Sequence, residues 1–354
     1  QRGEYVNASI ATMAWLEDAW SRLLQRIAGN RMPHALMVTG ENGVGKRLFA
    51  NALAGLLVCE KADMDAGSPC GICKQCELVA AGTHPDIRIY APEKSRMIKI
   101  DQIRALSAFA VGSPQVASRK VAIIDRADQL NINSANALLK TLEEPAKDVV
   151  LLLLQESGRP VLPTIRSRCQ SLLIATPDRD QAAGWLATAV KAMDGDNRPT
   201  PEQCAKALVL AANAPRLALE YATGEFISLR DEALDNFRHF MKGQLTLSEA
   251  AKPFKAMGLE SALWLFEGWA GDLARISAGG QPRDAEAADM LTFLARNNPS
   301  WRAHELLDAI HESRSAGVYN VNPELEAGRL LIAWQKLRPR RRPASPSPDK
   351  SRAT

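Results

Sequence analysis

Gly40-Glu41-Asn42-Gly43-Val44-Gly45-Lys46-Arg47 fits a phosphate-binding loop at every position but the last. In the pattern G-x-x-x-x-G-K-[ST] the backbone N–H groups close around phosphate oxygens, the lysine reaches the outer phosphates and the final hydroxyl holds Mg²⁺. Arginine has no oxygen to offer a hard cation. Arg47 therefore predicts a nucleotide fold without metal-assisted hydrolysis. The flanks supply the strand–loop–helix context the motif requires, an apolar run over 35–39 and a helix-like run over 46–58. Gly40, Gly43, Gly45 and Lys46 are the candidate phosphate-binding residues, compatible with ATP that is bound but not hydrolysed.

A second degenerate element lies downstream. Val121-Ala122-Ile123-Ile124-Asp125 has the apolar-run-then-aspartate shape of a Walker B strand, in which the aspartate holds Mg²⁺ and a following acid polarises water. Here Arg126 follows. Two readings of Asp125 stand on the residues alone: a remnant of the nucleotide site, or a strand-ending aspartate that caps a turn. In either case two separate hydrolytic elements fail in one chain.

Four of the six cysteines stand together as Cys59, Cys70, Cys73 and Cys76. Two C-x-x-C steps that share a cysteine and are backed by a fourth thiol match tetrahedral Zn²⁺ ligation. Four thiolates close the coordination sphere, so the expected role is structural. Disulfide or redox chemistry and unrelated buried thiols are the alternatives. Cys169 and Cys204 read as ordinary buried thiols.

Around these motifs, strand-like runs at 35–39, 87–90, 121–125, 149–154 and 172–174 alternate with amphipathic helical stretches such as 99–111 and 134–143. The alternation predicts an α/β P-loop module, a parallel sheet with helices on both faces, over 14–176, with the cysteine module inserted at 59–76. A small helical lid is expected over 177–223 and an all-helical C-terminal domain over 224–337. Trp185, Trp264, Trp269, Trp301 and Trp334 all fall in helical patterns and are expected in cores. Residues 1–13 read as an extension, and Met13 is a plausible natural start because the first residue is Gln. The tail over 338–354 sets Arg338, Arg340, Arg341, Arg342, Lys350 and Arg352 among Pro and Ser, a composition that builds no core. It reads either as a solubilising tail or as a contact for nucleic acid or acidic lipid.

The chain has 354 residues, 46% of them hydrophobic and 24% charged, which is ample for two or three buried cores. No apolar run approaches the roughly 18 residues of a membrane span, and no secretory signal pattern opens the chain. No membrane partner and a cytoplasmic location are expected. Net charge is only +4, much of it in the tail. A broad basic nucleic-acid face is therefore not visible from charge.

The resemblance becomes specific with RMPHALMVTG at 31–40, CGICKQC at 70–76 followed by AGTHPD at 81–86, NALLKTLEEP at 136–145 and SRC at 167–169. On these stretches the chain resembles the bacterial clamp-loader subunits of the AAA+ class, and most closely the delta prime family of DNA polymerase III. VNPELEAGRLLIAW at 321–334 resembles the family's last helix more weakly. The resemblance implies an AAA+ module, lid and collar in a hetero-pentamer with gamma/tau ATPase subunits and a delta subunit, acting on a sliding clamp and primer–template DNA. It further implies a hydrolysis-defective member of a nucleotidyltransferase complex, because Arg47 and Arg126 replace the Ser/Thr and Glu of its ATPase relatives. The arginine of SRC maps onto Arg168 and is expected to reach the neighbouring subunit's ATP, though a surface ion pair would also account for it. Arg166 would share that role or only pack. Gln155 and Glu156 fall at a nucleotide-sensing position, and Arg216 at a second sensing position in the lid. Two other functions stay open on the residues: an autonomous AAA+ ATPase, which Arg47 and Arg126 oppose, and a zinc-containing nucleic-acid-binding protein, which the modest charge opposes.

Overall fold

The structure, a computed structural model, describes residues 13–29, 32–93, 97–193, 198–316 and 322–339; most of the N-terminal extension and of the basic tail lie outside them. Contacts divide the chain into two compact units, Gln1–Ile227 and Ser228–Thr354.

The first unit is built on five parallel strands, β1 (Ala35–Gly40), β2 (Ile87–Tyr90), β3 (Lys120–Ile124), β4 (Val149–Glu156) and β5 (Gln170–Leu173), in the order β2-β3-β4-β1-β5. Strands β3 and β4 are near-continuous apolar runs because both faces are covered, the pattern expected of a parallel sheet. On one face Ala35, Met37, Ala122, Ile124, Leu151 and Leu153 meet α4 (Ile100–Val111), α5 (Ile132–Glu143) and α6 (Pro163–Arg166). Helix α2 (Lys46–Val58) packs on β1, β3 and β4 and is preceded by α1 (Glu17–Ala28), while α3 (Lys74–Ala80) lies within the cysteine module and packs on α2. In-register pairing of β1 with β4 sets Thr39 beside Gln155 and Gly40 beside Glu156. The carboxyl ends of these strands, where strand order reverses, are where open α/β sheets carry their ligands.

Three helices complete this unit: α7 (Arg179–Lys191), α8 (Pro201–Leu210) and α9 (Pro215–Thr223). Their starts follow from local chemistry. The Asp178 side chain accepts the Gln181 N–H, Thr200 and Gln203 form a reciprocal capping box, and proline opens both α8 and α9.

The second unit is helical: α10 (Phe226–Met241, whose first residues belong to the first unit), α11 (Leu247–Met257), α12 (Leu259–Ser277), α13 (Ala288–Asn297), α14 (Trp301–Ala316) and α15 (Pro323–Gln335). Its core is aromatic. Phe237 stacks on Trp269 with centroids 4.9 Å apart, Phe254 stacks on Phe266 at 4.5 Å, and Trp334 meets Phe237 edge-on at 5.2 Å. Fully buried Arg230 is held by Asp231, Asp284 and Glu286, with the Trp269 indole N–H also on Asp284.

The expectation of core tryptophans holds for Trp269 and Trp334 and fails for Trp301, which is 50% exposed. It is the first residue of α14, and the Arg302 guanidinium covers its ring 4.4 Å from the centroid. A 3-10 turn, Ala285–Ala287, leads into α13. Among the described residues no helix is long and apolar enough to cross a membrane.

Candidate functional site

The loop after β1 takes the shape its glycines allow. Gly43 and Gly45 have φ of 80° and 102°, values that side chains resist, and α2 begins immediately at Lys46. The loop is packed from two directions. From one side the Arg216 N–H, at the start of α9, donates to the Gly43 carbonyl at 3.0 Å, and a Cβ added to Gly43 would lie 2.4 Å from Leu217 Cβ. From the other, Trp15 Nε1 donates to the Val44 carbonyl at 2.9 Å while Met13 and Leu16 lie over Gly45. Trp15 also meets Trp185 of α7 edge-on, 6.1 Å between centroids.

Lys46 is turned back onto its own loop. Its Nζ donates to the Gly40 and Glu41 carbonyls, each at 2.7 Å, and burial holds its pKa below the ordinary 10.5. To reach a phosphate it must give up both bonds. Arg47 reaches across to Asp125, Nη1 to Oδ2 3.2 Å, so the guanidinium occupies the aspartate that a working site offers to a hydrated metal.

Arg126, the second substitution, adopts a left-handed backbone at φ 73°, unfavourable for a side-chain-bearing residue. Its guanidinium lies 3.3 Å from Asp128 and 3.2 Å from Glu156, and Glu156 also pairs with Arg159 at 3.3 Å. Gln155 is engaged as well: Thr39 Oγ1 donates to its Oε1 at 3.3 Å and its Nε2 donates to the Arg159 carbonyl at 2.6 Å. The polar groups at the strand ends are thus tied to one another. Arg216 is exposed, and its backbone N–H touches the loop.

Arg168 stands apart from this cluster, on the turn between α6 and β5. Nη1 donates to the Thr164 carbonyl at 2.9 Å and Nη2 pairs with Glu143 at 2.6 Å. The side chain is 36% exposed, so the fork is oriented while part of it faces outward. Arg166 is exposed.

Cys59, Cys70, Cys73 and Cys76 converge, their sulfurs all within 4.8 Å of one another. Separations of 3.9 Å for Cys59–Cys73 and Cys70–Cys76, 3.6 Å for Cys59–Cys76 and 3.5 Å for Cys73–Cys76 fit the roughly 3.8 Å edge of a tetrahedron with 2.3 Å Zn–S bonds. The donor set therefore suits Zn²⁺. Burial tends to raise the Cys73 thiol, but the Glu60 and Cys76 N–H groups and neighbouring thiols outweigh it and bring it to about 6. Burial, with the Cys73 contact, pushes Cys76 up to about 12.

Behind the cysteines lies a buried polar chain that the motifs do not reveal. Gln75, His84 and Asp86 are 3%, 6% and 0% exposed. His84 Nδ1 accepts the Asp86 N–H at 3.1 Å, which makes Nε2 the protonated nitrogen; it donates to Gln75 Oε1 at 2.9 Å. Burial holds His84 below its ordinary 6.5. The Asp86 carboxylate accepts N–H groups from Gln115, Val116 and Ala117 at 2.8, 2.8 and 2.9 Å. Burial tends to raise its pKa, but those donors outweigh it and hold it below 3.8.

Comparison with known proteins now adds to the geometry. Residues 15–178 match the family model described as DNA polymerase III, delta subunit. The delta prime subunit of Pseudomonas aeruginosa DNA polymerase III is 31% identical over 91% of this chain and 97% of its own length. Its Haemophilus influenzae counterpart is 31% identical over 66% and 68% respectively. The tau subunit of Escherichia coli DNA polymerase III is 31% identical over 86% of this chain and 43% of its own length. Together with the parallel P-loop sheet, the match along nearly the whole Pseudomonas subunit establishes that the chain belongs to the DNA polymerase III delta prime family.

Proposed function

We propose that this chain is a non-hydrolysing subunit of a replicative clamp loader, working beside tau/gamma-type ATPases and a delta subunit in a hetero-pentamer that places a sliding clamp on primer–template DNA in the cytoplasm. Similarity to delta prime and tau subunits supports a clamp-loader role. The observation that carries the non-hydrolysing part is the Arg47–Asp125 pair: a cationic side chain stands where metal and hydroxyl would meet. Arg126 lies where a water-polarising acid would sit, and the loop lysine is bonded to loop carbonyls. The same features oppose an autonomous ATPase.

In this reading Arg168 acts in trans. A guanidinium held on a rigid turn presents planar donors to a neighbour's phosphates and offsets charge that develops as the phosphoryl group transfers. Leaving Glu143 for a phosphate exchanges one anion for another, and an exposed ion pair is worth at most about 1 kcal/mol, so the guanidinium is readily redirected. Cys59, Cys70, Cys73 and Cys76 would hold Zn²⁺ in a closed site, where the metal supplies folding energy.

The test is assembly. Mixed with the tau-type and delta subunits of the same organism, this chain is expected to co-elute in one stoichiometric complex, and clamp deposition on primed DNA is expected to require it. A chain that stays apart from those subunits, or that self-assembles and turns over ATP, would overturn the proposal.

A further inference from the structure

Residues 112–119 join α4 to β3 and form neither helix nor strand, yet they are pinned more tightly than most loops. Asp86 holds three of their N–H groups, and the Val116 carbonyl accepts from Gln75 Nε2 at 3.0 Å. Gln75 lies between two of the clustered thiols, Cys73 and Cys76. Its Nε2 also donates to Glu60 beside Cys59, at 3.1 Å, and its Oε1 accepts from His84. One buried amide therefore joins the cysteine module, the turn before β2 and the 112–119 loop, with both donor hydrogens and its acceptor engaged.

We propose that Gln75 makes the cysteine module and the 112–119 loop one cooperative unit, so that losing metal from the four thiols releases a loop outside the module. The proposal rests on the zinc reading above. Helix α3 spans seven residues, far below the length at which a helix persists alone. Cys73 and Cys76, when metal-bound, fix its first turn and so fix the Gln75 side chain between them. Without that restraint the turn loosens and the amide leaves Val116 O and His84 Nε2. His84 Nε2 is then buried without its partner and the 112–119 loop loses its tie to α3, which favours opening of that loop. The Asp86 carbonyl also accepts the Val121 N–H at 2.8 Å, so the disturbance reaches the start of β3, the strand that leads to Asp125. Coupling between metal and loop must act in both directions: weakening the Gln75 link should weaken the hold on the metal.

Hydrogen exchange on the full chain tests this, comparing zinc-loaded protein, chelator-stripped protein, and zinc-loaded Gln75→Ala and Gln75→Glu. Glutamate keeps the size of the side chain but has no hydrogen to donate to Val116. Amides of 115–117 are expected to exchange about tenfold faster or more in the stripped protein and in both variants, with β4 amides unchanged. Zinc transfer to a competing chelator should be about tenfold faster from Gln75→Ala. Unchanged 115–117 amides in stripped protein whose 59–80 amides accelerate would overturn the coupling. So would variants that match the wild type in both exchange and metal release. If stripping also accelerates β4, the metal-loaded variants decide. A chain that takes up no zinc fails the metal reading and the coupling with it, and the metal assay tells that case from failed coupling.

Discussion

Arg168→Ala in an assembled clamp loader is expected to lower ATP turnover at the facing site by about 10³-fold or more while the assembly stays intact. The size follows from what an arginine donated in trans does: it meets charge that appears only as the phosphoryl group transfers. Its removal is therefore felt in turnover more than in ATP affinity. Structural loss is expected to be small, since the side chain is partly exposed and its bonds are to Glu143 and the Thr164 carbonyl. Arg168→Lys, which keeps the charge and loses the planar fork, should fall between wild type and alanine. The measurement is clamp- and DNA-stimulated turnover, with complex integrity followed by size-exclusion chromatography. Unchanged turnover would leave Arg168 as a surface ion pair.

Cys73→Ala is expected to abolish stoichiometric zinc and to lower the melting temperature of the unit that holds the cysteines by about 10 °C. Apparent metal-binding free energies in structural zinc modules are roughly 10–16 kcal/mol, most of it realised as folding energy. If a third of that is lost with one of four ligands, about 3–5 kcal/mol disappears, and each kcal/mol shifts melting by about 2–4 °C in a unit of this size. Inductively coupled plasma mass spectrometry together with a thermal melt checks both halves. A variant that keeps its zinc, or that loses it without a change in melting, would remove the structural role. Activity should fall only as far as folding does, because Arg168 is held by Glu143 and the Thr164 carbonyl and not by the four clustered cysteines.

The fold was legible because its signals are local. An apolar run ending in a glycine loop and opening a helix has one common solution, and strand-like runs between amphipathic stretches predict the sheet that β1 to β5 form. The cysteine cluster was equally plain, since ligand spacing is a property of sequence. What sequence could not supply depends on distant residues meeting. Nothing in Trp15 or Leu217 announces that each packs on the phosphate loop, because they are separated from it by α1 and the linker in one direction and by the whole sheet in the other. In sequence Arg47 is only a missing oxygen, and the fold shows that its charge meets Asp125. Gln75 hid in plain view, as one of the variable positions between two cysteines. Its depth became visible only with His84 and the 112–119 loop around it. Trp301 went wrong for a simpler reason: helical spacing gives a residue's face, but a first-turn position lets even an indole stay in water.

The most direct test of the central claim is ATP turnover by the purified chain alone, at saturating Mg²⁺ and ATP. With Asp125 taken by Arg47 and no acid at position 126, hydrolysis is predicted to stay at the buffer background and to be indifferent to Lys46→Ala. Turnover above background that Lys46→Ala abolishes would contradict the account, since it would mean that the loop works as a hydrolytic site despite both arginines.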